Sequence, residues 1–189
     1  LYKMSGELIE AENYFMKSKI YHERANLKYG YAKDLQQLGS LYTLKGDLNR
    51  AFSLLKESMR SSDRMYDKDS TAETLEYLGL LYFFLGSFQE AIQSLMEAKE
   101  KSLKTRNMHV IISVNMHLAL IYLDMGNFET AMHHSKLALD EIKKVNSLRN
   151  VFINKAIIDI CSKLASIQKE GLSHIASPLS SFPLILRRY

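Results

Sequence analysis

The sequence predicts an all-α fold, a stack of helical hairpins. Three observations lead there. Both prolines of the chain, Pro178 and Pro183, lie near its C-terminus, so residues 1–177 contain none. β and α/β proteins of this size spend prolines on turns, whereas a helix interior excludes them. Four of the eight glycines, Gly6, Gly46, Gly86 and Gly126, stand 40 residues apart. Around them six further columns recur at the same period, which is the mark of a repeat architecture.

The columns define the unit. Four residues before each glycine is a tyrosine: Tyr2, Tyr42, Tyr82 and Tyr122. Eight before is leucine (Leu38, Leu78, Leu118) and seven before is small (Gly39, Gly79, Ala119). Two after is apolar (Leu8, Leu48, Phe88, Phe128), and five after is Ala11, Ala51, Ala91 and Ala131. Twelve after is small again: Ser18, Ser58, Ala98 and Ala138. Leucine and tyrosine before the glycine share one helical face, and the small residue lets another helix approach. The glycine ends this first helix, helix A, because it can take positive φ. Asp47, Ser87 or Asn127 then caps the second, helix B. Ser87 with Glu90, and Ser70 with Glu73, have the capping-box spacing. The expected units are about 1–30, 31–70, 71–110 and 111–150. Ile158, Ile160 and Leu164 give 151–166 the apolar face of a capping helix. Terminal repeats are atypical because one face meets water. Leu1 would fall inside a helix A, so a truncated first hairpin and a longer parent protein are expected.

These units resemble tetratricopeptide repeats. Leu-Gly at 38–39 and 78–79 is followed by tyrosine, glycine and alanine at that family's spacing, and "LGLLYFFLGSFQEAIQSL" (78–95) is the segment that best fits. The resemblance covers about residues 1–145 and implies a right-handed α-solenoid. The family's early tryptophan and late proline are absent, and the period exceeds the usual length of about 34. The longer period resembles the repeats of Pins-type polarity adaptors and of bacterial regulators with helical-repeat sensor regions.

The resemblance also implies a concave groove lined by the A helices. Its candidates are Lys33, Gln37, Ser40 and Leu44, then Glu73, Tyr77, Leu80 and Phe84, then Ser113, His117, Leu120 and Asp124. An apolar and aromatic middle with polar edges suits an amphipathic helix or an extended peptide. Leu80 and Phe84 have an alternative role as packing between hairpins. Tyr77 and His117, each with a polar tip, are expected to be exposed on the same surface. Some repeats of the family hold a C-terminal carboxylate with Lys, Asn and Arg. At those positions stand Lys33, Gln36 and Ser40, then Glu73, Glu76 and Leu80, then Ser113, Met116 and Leu120. One lysine does not make that clamp, and two glutamates would repel a carboxylate.

Little else carries chemistry. The 189 residues are 47% hydrophobic and 24% charged, with a net charge of +4, which is globular and does not demand nucleic acid. A lone Cys161 excludes a disulfide within the chain and fits a core position. Six histidines include adjacent His133 and His134, which point apart on a helix and suit structural or surface roles rather than a metal site. There is no phosphate loop, nucleophile elbow or metalloprotease motif. Lys99, Lys101, Lys104 and Arg106 suit a solvated helix end. The nine methionines suit core gaps. Residues 167–189 read as a flexible tail, with docking of Phe182, Leu184 and Leu186 on the repeats as the alternative. The function expected is a cytoplasmic scaffold or adaptor that binds a protein or peptide. The alternative is a peptide-sensing module attached to a signalling or DNA-binding domain. No catalysis, cofactor, nucleic-acid partner or membrane span is expected.

Overall fold

A computed structural model describes residues 2–65, 67–144 and 159. Within them run seven helices: α1 (Tyr2–Arg24), α2 (Lys28–Lys45), α3 (Leu48–Arg64), α4 (Lys68–Phe84), α5 (Phe88–Thr105), α6 (Met108–Asp124) and α7 (Phe128–Lys144). No strand occurs among the described residues. Apart from residue 159, the capping helix expected at 151–166 lies outside them, as do Cys161 and the tail. The chain divides into two compact units, Leu1–Thr105 and Arg106–Tyr189. In the first, α2 pairs with α3 and α4 with α5, α1 packs on α2, and α4 packs on both α2 and α3. In the second, α6 pairs with α7.

Each pairing rests on a glycine turn. Gly46, Gly86 and Gly126 have φ of 81°, 75° and 75°, the left-handed region. The amide after each donates to the tyrosine-column carbonyl: Asp47 to Tyr42 at 3.0 Å, Ser87 to Tyr82 at 2.9 Å, Asn127 to Tyr122 at 2.8 Å. The glycine amide donates to the carbonyl three residues back, giving the paired bonds of a Schellman turn. The tyrosines thus occupy equivalent places at three helix ends. Asp47 Oδ1 accepts from the Arg50 amide and Asn127 Oδ1 from the Thr130 amide, both at 3.2 Å, so both cap helix B.

Two expectations are corrected. Gly6 is no turn; it lies inside α1. The residue after it is Glu7, a good helix former, where the other three glycines precede Asp, Ser or Asn. Ser70 does not start its helix either. Asp67 is the cap of α4, accepting from the Asp69 and Ser70 amides at 3.1 and 3.0 Å. Ser70 is buried, and its hydroxyl bonds Ser62 at 2.7 Å.

The small column sets how closely the two helices of a hairpin approach. A Cβ placed on Gly39 would lie 2.6 Å from the Leu55 side chain, and one on Gly79 would lie 2.6 Å from Leu95 and 3.2 Å from the Ala91 carbonyl oxygen. The leucine one helix away fills the space that the glycine leaves. In the third hairpin the same two positions hold Ala119 and Ser135, both fully buried. The added methyl of alanine accompanies a smaller residue opposite. A similar exchange governs the step between hairpins. His22 on α1 fits against Gly30, whose Cβ would sit 2.6 Å from the imidazole. Forty residues on, the corresponding contact is the Ser62–Ser70 hydrogen bond.

A buried polar cluster joins α2, α3 and α4. Gln36 Nε2 donates to the Ser70 carbonyl at 2.9 Å, to Ser70 Oγ at 3.1 Å and to Thr74 Oγ1 at 2.9 Å. Ser58 donates to the Ala32 carbonyl at 3.1 Å and lies 3.1 Å from Thr74 Oγ1. These partners offset the desolvation that burying a polar group would otherwise cost.

Ala91→Leu should overpack the α4–α5 contact and lower stability by about 1–3 kcal/mol, read from denaturant unfolding. An unchanged midpoint would remove the alanine column from the contact. Ser135→Leu should destabilise alone, and adding Ala119→Gly should restore part of the loss. Recovery would be incomplete because glycine in a helix costs roughly 0.5–1 kcal/mol relative to alanine. Strict additivity of the two changes would contradict the exchange.

Candidate functional site

Helices α2 and α4 are successive A helices, and residues 40 apart meet between them. The Lys33 ammonium pairs with the Glu73 carboxylate. Gln37 Nε2 donates to the Tyr77 hydroxyl at 3.2 Å. These four candidates therefore form a two-rung ladder, each side chain half-buried. The Lys33 ammonium also lies 5.5 Å from the centre of the Tyr29 ring, a cation–π contact. Burial pulls the Lys33 ammonium below the usual lysine value, against the opposing charges of Asp67 and Asp69. Burial raises the Tyr77 phenol, and the neighbouring Glu76 charge adds to that.

The remaining candidates differ in access. Ser40, Leu44 and Phe84 are half-buried, while Leu80 is 6% exposed and belongs to the core. Its position therefore favours the packing role over a groove contact. The Phe83 ring makes edge contact with Phe84 at 5.8 Å and a tilted contact with Phe88 at 6.1 Å. In the second unit Ser113, His117, Leu120 and Asp124 lie half-buried along α6. Leu120 packs against the cluster of Ala119, Leu123 and Ala131. Tyr77 and His117 are less exposed than their polar tips suggested. Burial holds the His117 imidazole down at about 4.

The positions of the carboxylate clamp are committed elsewhere. Lys33 is paired with Glu73, and Gln36 is held by Ser70 and Thr74. Glu76 is buried, and that burial raises its carboxyl to about 8. That burial favours the neutral carboxyl and weakens the repulsion expected from Glu76. The case against the clamp rests instead on the engaged lysine.

Several interactions were not apparent from the columns. His22 Nδ1 lies 2.6 Å from Asp34 Oδ2, linking α1 to α2. Glu12 accepts from both the Tyr42 hydroxyl and the Lys45 ammonium. Those two bonds, Lys45's first, hold the Glu12 carboxyl below its usual value, and Tyr42 is raised to about 12, chiefly by burial and then by the bond to Glu12. Asn107, 40 residues after Asp67, caps α6 by accepting from the Val110 amide at 3.3 Å. This cap column follows the same 40-residue period. His134 stacks on Tyr122 with ring centres 5.6 Å apart and lies 3.1 Å from Asn115 Oδ1, a structural role. Lys101 and Lys104 pair with Glu97 and Glu100 along the α5 surface. Among the described residues no group of three or more His, Cys, Asp or Glu is placed to hold a metal, and no helix is long and apolar enough to cross a membrane.

Comparison with known families gives two matches, both to models of the tetratricopeptide repeat, over residues 31–101 and 112–144. No curated protein matches the chain.

The Glu76 shift carries a pH prediction. A carboxyl whose folded value is raised from 4.5 to about 8 binds more protons folded than unfolded between those values. Its contribution is fully present below about pH 4.5 and is lost as pH rises through about 8. Glu76→Gln should therefore flatten the fall in melting temperature between pH 5 and 8. An identical pH profile in the variant would show that Glu76 titrates alike folded and unfolded.

Proposed function

Because the chain belongs to the tetratricopeptide repeat family, whose repeats generally mediate protein–protein interaction, we propose that it is a scaffold or adaptor that holds a partner peptide or helix along its A helices. Members of the family are typically non-enzymatic scaffolds, and binding here is stoichiometric. A cytoplasmic location goes with that role. The observation that carries the proposal is the ladder of Lys33 with Glu73 and Gln37 with Tyr77. A charged pair and a neutral hydrogen-bonded pair line one face, each within reach of water. Phe84 and Leu44 continue the same helices with apolar surface. Polar rungs fix the register of a ligand and apolar ones hold it, as in helix and peptide recognition generally. In the second unit Ser113, His117, Leu120 and Asp124 occupy the corresponding positions on its own A helix, α6.

The test begins with partners captured by the intact chain and identified by mass spectrometry. Their affinities are then measured for Gln37→Ala combined with Glu73→Ala. If these side chains form a hot spot, binding should weaken by more than about 2 kcal/mol. The melting temperature should change little, because no core residue is altered. Unchanged affinity for every verified partner would remove the α2–α4 face from the interface.

A further inference from the structure

The helical repeat allows one hairpin to serve as the standard for another, and α3 departs from its counterparts. On α5, Glu100 and Lys104 form an i,i+4 ion pair at 2.7 Å. The corresponding positions on α7 are Asp140 and Lys144, which pair with Lys143 at 3.1 Å and Glu141 at 2.8 Å respectively. On α3 the same two positions are Arg60 and Arg64, both exposed. Like charges at i,i+4 destabilise a helix, so the local rule is broken there. Such breaks concentrate at functional sites.

The two arginines line a cleft of about 450 Å³ with Lys28, Tyr31, Ser53, Glu57 and Ser61. Lys28 and Tyr31 come from the start of α2, and the others from one face of α3. Among the described residues no carboxylate pairs with Lys28, Arg60 or Arg64. The one acid present, Glu57, accepts a hydrogen bond from the Tyr31 hydroxyl. Three cations against one carboxylate leave the cleft with a net charge of +2. The Ser61 hydroxyl stands beside the cations as a further polar group, while the Ser53 hydroxyl donates to the Asn49 carbonyl at 3.1 Å.

We propose that this cleft is a second interaction site, distinct from the α2–α4 ladder, which takes an acidic, Asp- and Glu-rich segment of a partner protein. The cations are spread over two helices and more than a turn of α3, and Glu57 lies among them. That arrangement suits a row of separated carboxylates better than one compact phosphate, which is best held by donors converging on a point. Arginine forks are the side chains best suited to bidentate carboxylate contacts.

The test uses a fluorescein-labelled octaglutamate peptide and the intact chain. Saturable binding that weakens steeply with added salt is expected. Arg60→Glu should weaken it at least ten-fold, and Arg60→Glu with Arg64→Glu should abolish it. Arg60→Glu also restores on α3 the acid-to-base spacing found on α5, so its melting temperature should equal or exceed that of the parent. Lys17→Glu with Lys136→Glu changes the net charge equally elsewhere and should leave binding nearly intact. Gln37→Ala with Glu73→Ala should leave it intact as well, which separates this site from the ladder. The proposal is overturned if octaglutamate does not saturate, or if the control pair of lysines matters as much as the arginines. It is also overturned if millimolar inorganic phosphate displaces the peptide fully, since the cleft would then be a phosphate site.

Discussion

The structure depends on how near the two helices of a hairpin can come. Gly39 and Gly79 leave room for Leu55 and Leu95, and a Cβ at either glycine would stand 2.6 Å from the leucine. Close packing leaves no slack for such an overlap, so the small column fixes the distance between helices. The left-handed turns at Gly46 and Gly86 fix the other degree of freedom, the angle at which helix B leaves helix A. With both set by the same residue types 40 apart, α2–α3 and α4–α5 become like-shaped pieces. Their A helices then present like positions to each other, and this is why Lys33 meets Glu73 and Gln37 meets Tyr77.

The repeat does not require identical residues at equivalent contacts. Ala119 with Ser135 replaces glycine with leucine, and His22 with Gly30 replaces serine with serine. The position of each contact is kept while its chemistry varies. The polar cluster of Gln36, Ser58, Ser62, Ser70 and Thr74 uses that freedom in one hairpin step. Hydrogen-bonded core groups define one arrangement more sharply than interchangeable apolar ones do, because a shifted register would leave several of them unsatisfied.

Legibility followed from how local each signal was. A left-handed glycine with an N-cap after it is written in two adjacent residues, so three turns could be read directly. Gly6 matched the column but lacked the second half of the signal, since Glu7 follows it. Ser70 differs for a related reason: the capping-box spacing to Glu73 fits, yet Asp67 three residues earlier already caps the helix through the Asp69 and Ser70 amides, so the chain is helical before Ser70 is reached. The candidate site was legible as positions and not as interactions. Lys33 and Glu73 stand in the sequence as single candidates 40 residues apart, and their shared place in the repeat brings the opposite charges together. The exposure of Tyr77 and His117 depends on what packs beside them, which no single residue type reveals. His22 and Asp34 come from different helices, and only the folded chain joins them.

The central claim is that the repeat geometry makes a binding face of the A helices. Backbone amide shifts measured by NMR as a verified partner is added test it most directly. The account predicts that the largest changes fall on residues 33–44 and 73–84, with the B helices α3 and α5 moving less. Changes that spare both stretches while the partner saturates the chain would contradict it.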